Sequence, residues 1–182
     1  MSLKCAWVPF HKYMKTLRGF ILTLALTMAL SAAASAQALP SLDGASVDVS
    51  NQKGKVVVLA VGAAWLPLSA KQADYTNALA KKYAGRNVAF YFVATDSANA
   101  GSKNFTSIDG IRKFVAANKL TIPVLRDADG AATMHKYEID QVPSFVILDK
   151  NGARAGEPIG GVDSSGKYDL TIPLSKAIDR LL

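Results

Sequence analysis

Two short apolar runs stand out along the chain, and each is followed by a segment with helical spacing. The first run is Val56–Val61 and the second lies within Asn87–Thr95; both are rich in β-branched or aromatic residues. Runs of this length and composition predict strands buried on both faces of a sheet. Because alternating strands and helices form parallel pairs through right-handed crossovers, the pattern predicts an α/β fold.

The helix predicted after the first run has a clear start and stop. Apolar residues recur at helical spacing from Leu68 to Tyr83. Pro67 suits the first turn, where a missing N–H costs little, and Gly85 suits the C-terminal stop. The opposite, solvent-facing side is assigned to Lys71, Gln72, Asp74, Asn77, Lys81 and Lys82. Strand and helix are joined by a tight corner that presents the helix N-terminus.

The later segments continue the alternation and end it with a hairpin. A polar loop over 96–105 precedes a helix capped by Thr106 or Ser107, and a strand with an edge proline, Pro123, follows. Asp127–Gly130 predicts a turn into a short helix over 131–137. A strand over 141–148 then leads into Asn151-Gly152, which predicts a type I′ hairpin turn. A last helix has Pro173 in its first turn, and residues 39–51 predict an N-terminal β extension.

The first 36 residues predict a secretory signal peptide. A basic segment, 14–18, precedes an apolar stretch, Phe20–Leu30, and Ala34-Ser35-Ala36 has the form of a cleavage site. Met14 is an alternative start. The apolar stretch is short for a membrane span, so cleavage is expected to leave one exported domain, 37–182, in the periplasm or outside the cell. An uncleaved N-terminal anchor is the alternative.

The formal charge of +7 gives little support to nucleic-acid binding. Four of the 21 basic residues lie in the first 36 positions, which hold no acidic residue, so the rest carries 17 basic and 14 acidic residues. The remaining lysines are scattered, whereas a nucleic-acid footprint is a clustered patch. We therefore expect no nucleic-acid partner.

Cysteine and histidine are almost absent. Cys5, the only cysteine, and His11 both lie in the predicted signal peptide, so His135 is the one histidine beyond it. Without a thiol the exported part can form no disulfide and carry out no thiolate chemistry. A zinc or copper site built on His and Cys is excluded within one chain. Asp127 and Asp129 lack the spacing of a calcium loop, and we expect no metal and no cofactor.

The corner Trp65-Leu66-Pro67-Leu68-Ser69, together with Val142-Pro143, resembles the thioredoxin-like superfamily, and most of all its redoxin branch of TlpA-like periplasmic disulfide reductases. That resemblance covers about residues 39–182. It implies a central mixed β-sheet flanked by helices on both faces. It also implies a cis peptide bond before Pro143, and it places the two redox cysteines where Leu66 and Ser69 stand.

By this resemblance, the corner has the position of a redox active site but lacks the two cysteines that would react. Three functions therefore remain open. The first is a non-catalytic module that holds an extended peptide or an envelope protein at the corner and beside Val142-Pro143, by backbone pairing and apolar contact. The second is a thiol-disulfide oxidoreductase by descent, and the third is a structural subunit of an envelope assembly. Ser69 is expected to satisfy backbone groups and not to act as a nucleophile. Leu66 and Leu68 could instead fold against the body, which would leave no apolar patch.

Overall fold

The computed structural model describes residues 38–163, 165 and 167–182, which belong to the compact unit Gln37–Leu182. The predicted signal peptide lies outside the described residues. The strands are β1 Leu39–Pro40, β2 Ser46–Val47, β3 Val56–Gly62, β4 Val88–Ala94, β5 Val124–Arg126 and β6 Ser144–Leu148. The helices are α1 Leu68–Lys82, α2 Ile108–Ala117, α3 Thr133–Lys136 and α4 Thr171–Asp179, with short 3₁₀ turns at Val49–Asn51 and Ala128–Gly130.

A four-stranded mixed sheet in the order β5-β4-β3-β6 forms the centre of the fold. β3 pairs with β4 in parallel and with β6 antiparallel, and β4 pairs with β5 in parallel. All seven residues of β3 are buried, as expected of a central strand covered on both faces. The two predicted central strands and their parallel pairing are therefore confirmed.

Alternate residues of β3 feed two separate apolar cores. Val56, Val58 and Ala60 pack with α1, α2 and α4 on one face of the sheet. Val57, Leu59 and Val61 pack on the other face with the N-terminal segment and the region around α3. The prediction of helices on both faces is confirmed, although the three longer helices share one side.

The N-terminal β extension is a small hairpin in which β1 pairs antiparallel with β2. Ser41 forms a single bridge to Leu125 in β5, and the Leu42 amide donates to the Val124 carbonyl at 3.0 Å. The extension therefore lies along the outer side of β5, and Leu39 and Val49 complete the second core.

The hairpin after β6 is present, but its predicted type I′ turn is wrong. That turn needs a positive φ at both central residues, and only Gly152, at +83°, has one; Asn151 does not. The Gly152 amide donates to the Asp149 carbonyl at 3.0 Å, and the Asn151 amide donates to the Asp149 carboxylate at 2.8 Å. Aspartate at the first position and glycine at the fourth favour a type I turn followed by a left-handed glycine. The returning chain meets β6 at single bridges, Phe145 to Ile159 and Leu148 to Arg154.

Tyr137, buried in the second core, predicts a pH-dependent stability. Burial, and to a smaller extent the nearby Asp48 carboxylate, raises the pKa of its phenol from 10.0 to about 12. An unfolded tyrosine ionises near pH 10, so the free energy of unfolding is maintained below pH 10 and falls as the pH rises towards 12. Tyr137→Phe should reduce this fall, measured as urea midpoints across the alkaline range.

A matched control for this prediction is Tyr168→Phe, because Tyr168 is 56% exposed. That variant should keep the alkaline slope of the wild type. Burial also raises the pKa of Tyr91, so part of the slope should persist in Tyr137→Phe. An unchanged slope in Tyr137→Phe would contradict the assignment.

Candidate functional site

The corner between β3 and α1 lies at the carboxyl end of the central strand. Val61 pairs with Ser144, the first residue of β6, so Pro143 and Val142 approach the same end of the sheet. The Val142-Pro143 peptide bond is cis, as the resemblance implied. The fold thus brings the corner and the Val142-Pro143 segment, which are far apart in sequence, to one edge.

Gln72 links the end of β3 to the start of β6 by hydrogen bonds. Its prediction as a solvent-facing residue of α1 is therefore wrong. Its side chain is fully buried, and its amide nitrogen donates to the Val61 carbonyl at 3.2 Å and to the Ser144 carbonyl at 2.8 Å. Its Oε1 has no hydrogen-bond partner in the described part of the chain. The oxygen packs so closely on Gly62 that a β-carbon there would overlap it.

Asp96, two residues after the end of β4, binds the corner backbone. The Ala64 amide donates to its two carboxylate oxygens at 2.9 and 3.0 Å, and the Trp65 amide donates to Oδ1 at 3.3 Å. The side chain of Asp96 is fully buried, and the Arg126 guanidinium lies 3.9 Å from its Oδ2. Buried charges of this kind require partners of opposite sign and hydrogen bonds. The sequence interpretation placed Asp96 in a polar loop and missed this role.

Ser69 is fully buried, so it does not present its hydroxyl to a ligand. Its Oγ accepts a hydrogen bond from the Ala63 amide at 3.1 Å. This is the backbone-satisfying role that the sequence suggested for it. The Ser69 amide donates to the Leu66 carbonyl at 3.0 Å, so residues 66 and 69 close one tight turn at the start of α1.

The other predicted site residues differ in exposure. Trp65 is 41% exposed and Pro67 is exposed, Leu66 and Val142 are half-buried, and Pro143 is buried. Leu68 is half-buried and packs against the core shared by α1 and α4. Leu68 therefore packs against the domain, as in the second of the two possibilities considered from the sequence. Trp65 and Pro67 remain accessible.

The backbone of Val142 is unpaired within the part of the chain that the structure describes. Across the described residues, neither its amide nor its carbonyl makes a hydrogen bond. Backbone groups without a partner are uncommon in folded proteins unless water or a ligand reaches them. Val142 can therefore offer one donor and one acceptor to an extended chain beside the corner.

The described part of the chain shows neither a metal-binding group nor a membrane span. No cluster of three or more His, Cys, Asp or Glu side chains there could hold a metal ion. No helix within these described ranges is long and apolar enough to cross a bilayer. Asp127, considered above as part of a calcium loop, accepts hydrogen bonds from the Ala132 and Thr133 amides at 3.2 and 2.6 Å, and so caps the start of α3.

Comparisons with known proteins agree with this fold. The chain is 26% identical over 119 residues to the thiol-disulfide oxidoreductase ResA of Bacillus anthracis, which covers 65% of this chain and 63% of that protein. It therefore spans less than two thirds of the length of this curated relative.

Solved structures show the same architecture. A secreted disulfide oxidoreductase of Mycobacterium tuberculosis, homologous to DsbE of E. coli, is 22% identical with a TM-score of 0.61, covering 80% of this chain and 96% of that one. The exposed lipoprotein thioredoxin of Streptococcus pneumoniae is 20% identical with a TM-score of 0.60, covering 80% and 98%. Residues 28–154 match the family model described as Redoxin. With the thioredoxin-like sheet, the cis Val142-Pro143 bond and this match over most of its length, the chain belongs to the Redoxin family.

Proposed function

We propose that this protein is an exported redoxin-family member that holds an extended peptide or an envelope protein without carrying out disulfide exchange. The observation that carries the proposal is the backbone of Val142 beside the corner, which has no hydrogen-bond partner among the described residues. A peptide lying along Val142 would supply the missing donor and acceptor, which is recognition by strand addition. Trp65 and Pro67 would provide accessible apolar contacts next to it.

The absence of a thiol beyond Cys5 supports a non-catalytic role. Disulfide exchange begins with attack by a thiolate. Leu66 supplies no nucleophile, and the Ser69 hydroxyl is buried and bonded to the Ala63 amide. Within residues 37–182, the corner therefore keeps a scaffold for presenting a reactive group at a helix N-terminus but carries no sulfur.

Export is proposed from the signal peptide predicted over 1–36, with cleavage leaving the domain 37–182. Two structural neighbours are described as secreted and as an exposed lipoprotein, which agrees with a periplasmic or extracellular location. Intact-mass analysis of the protein isolated from the cell envelope tests this point. The measured mass should equal that of a chain that begins near residue 37, whereas the mass of the full-length chain would contradict cleavage.

Peptide binding is tested with a fluorescein-labelled, carboxymethylated insulin B chain, an extended peptide that cannot exchange disulfides. The wild type should bind it, and Trp65→Ser should weaken binding by about tenfold, since exposed tryptophans are frequent energetic anchors of interfaces. Tyr168→Ser, which removes an exposed aromatic residue elsewhere, is the control and should bind like the wild type. Equal affinity for all three proteins would remove the corner from consideration.

Redox activity is tested by insulin reduction with Leu66→Cys combined with Ser69→Cys. The turn from Leu66 to Ser69 keeps their Cα atoms within about 7 Å, close to the span of a disulfide. The double variant should therefore form a bridge and accelerate insulin reduction, whereas the wild type and Cys5→Ser should not. Turnover by the wild type would favour the oxidoreductase alternative, and a double variant that stays reduced under mild oxidant would contradict the placement of the corner.

A further inference from the structure

A second surface, separate from the corner, lies between α1 and α4. The two helices are joined by hydrogen bonds: the Tyr83 hydroxyl donates to the Ser175 carbonyl at 3.2 Å and to Asp179 Oδ1 at 3.0 Å, and Lys82 Nζ donates to Ser175 Oγ at 2.8 Å. Next to these bonds runs an open groove of 660 Å³, with Leu79 among its lining residues. The volume is within the range of pockets that receive ligand or partner side chains.

On the α4 side of the groove, the exposed side chains change from apolar to basic along the helix. Ile172, Lys176 and Arg180 follow one another at intervals of four residues, so they share one helix face. Ile172 is 69% exposed, the largest exposed fraction among the large apolar side chains of the described residues. One end of the groove is therefore apolar and the other end is cationic.

The cations at the basic end are available to a partner. Within the described part of the chain, Lys176 and Arg180 make no ion pair or hydrogen bond through their side chains. Asp179, the acidic residue among the described lining residues, is bonded to Tyr83 and paired with Arg86 at 3.4 Å. Lys82 adds a third positive charge to the lining. The groove thus combines an accessible apolar side chain with uncompensated positive charge.

We propose that this groove is a docking site for an acidic amphipathic helix of a partner protein. A helix that packs its apolar side chains against Ala78 and Ile172, which are both exposed, would place its carboxylates against Lys176 and Arg180, the helix-in-groove mode of recognition. Charge complementarity favours an acidic partner and sets the direction in which it lies. The groove is concave between two helices, which suits inserted side chains better than a flat lipid surface.

The test uses the full chain and two labelled peptides. Both are amphipathic helices with leucine on one face; one carries glutamate on the other face, and the second carries lysine in place of every glutamate. The acidic peptide should bind, with an affinity that decreases as the ionic strength increases. Ile172→Ser and the pair Lys176→Ala with Arg180→Ala should each weaken binding by about tenfold.

Matched controls replace similar residues elsewhere on the surface. Phe105→Ser and Lys113→Ala remove an exposed apolar residue and an exposed basic residue outside the groove lining, and both should bind like the wild type. All replaced residues are exposed, so unchanged urea midpoints should show that the variants fold. The Trp65→Ser variant should also bind the acidic peptide normally, which separates this site from the corner.

Three results would overturn the proposal. They are failure of the acidic peptide to bind, equal binding of the lysine peptide, and equal affinity of the groove variants and the wild type. Vesicles of phosphatidylglycerol and of phosphatidylcholine serve as a further comparison. Binding to the anionic vesicles that depends on Ile172 and Lys176, without binding of the acidic peptide, would assign the surface to a membrane and reject a protein partner.

Discussion

Asp96→Ala is expected to lower the free energy of unfolding by about 3 kcal/mol or more, because it removes one partner of a buried charge pair. The change would leave the Arg126 guanidinium, whose side chain is only 12% exposed, without its carboxylate partner. It would also leave the Ala64 and Trp65 amides without their hydrogen-bond acceptor. Urea unfolding at neutral pH measures the loss, provided that the slope of the transition is unchanged.

The control for this prediction is Asp109→Ala. Asp109 pairs with Arg112 at 3.0 Å, but its side chain is 82% exposed, and exposed ion pairs contribute about 0.5 kcal/mol or less. Combining Asp96→Ala with Arg126→Met should recover part of the loss, since the stranded cation is then absent as well. Equal effects of Asp96→Ala and Asp109→Ala would contradict the structural role given to Asp96.

Gly152→Ala is expected to be comparably severe, at about 3 kcal/mol, because it combines backbone strain with overlap in a packed region. The backbone of Gly152 has a φ of +83°, and an added β-carbon would overlap the Ser50 carbonyl oxygen and lie 2.9 Å from its carbon. The hairpin would have to move away from residues 50–54, which it also contacts through a bond from the Gly54 amide to the Lys150 carbonyl at 3.0 Å.

Gly156→Ala separates the two contributions. Gly156 has a similar φ of +87°, but no atom of the described residues lies within 4 Å of the position of its β-carbon. Its replacement should cost only the conformational part, about 1 kcal/mol. A loss at Gly152 no larger than the loss at Gly156 would show that the hairpin moves freely from Ser50.

The strands and helices could be predicted from the sequence because their signals are local. The unbroken apolar run of β3 and the helical spacing of α1 describe burial that any compact fold must provide. The turn after β6 was placed correctly but given the wrong type. The carboxylate of Asp149 favours the observed turn because it accepts a hydrogen bond from the Asn151 amide. The prediction of a type I′ turn used only the Asn-Gly pair and did not consider Asp149.

The polar framework of the site was missed because it depends on tertiary contacts. Gln72 was assigned to the solvent face by its chemistry, although its spacing from Ser69, Thr76 and Leu79 places it on the buried face. Asp96 and Arg126 lie at the carboxyl ends of β4 and β5, which pair in parallel through Ala94 and Arg126. Two opposite charges at neighbouring strand ends were a usable signal, whereas the bonds from Asp96 to the corner amides required the fold.

The two outer strands of the sheet, β5 and β6, are each covered by another segment of the chain, and this covering affects self-association. An open strand edge is a template on which a second chain can pair, which leads to aggregation. Residues 41–42 shield β5, and the returning segment bonds β6 through Ala155 and Ile159. Peptide groups on both outer edges of the sheet are thus bonded within the molecule. Recruitment of an intermolecular strand at these flanks is disfavoured, which helps to keep the domain dispersed when its concentration is high.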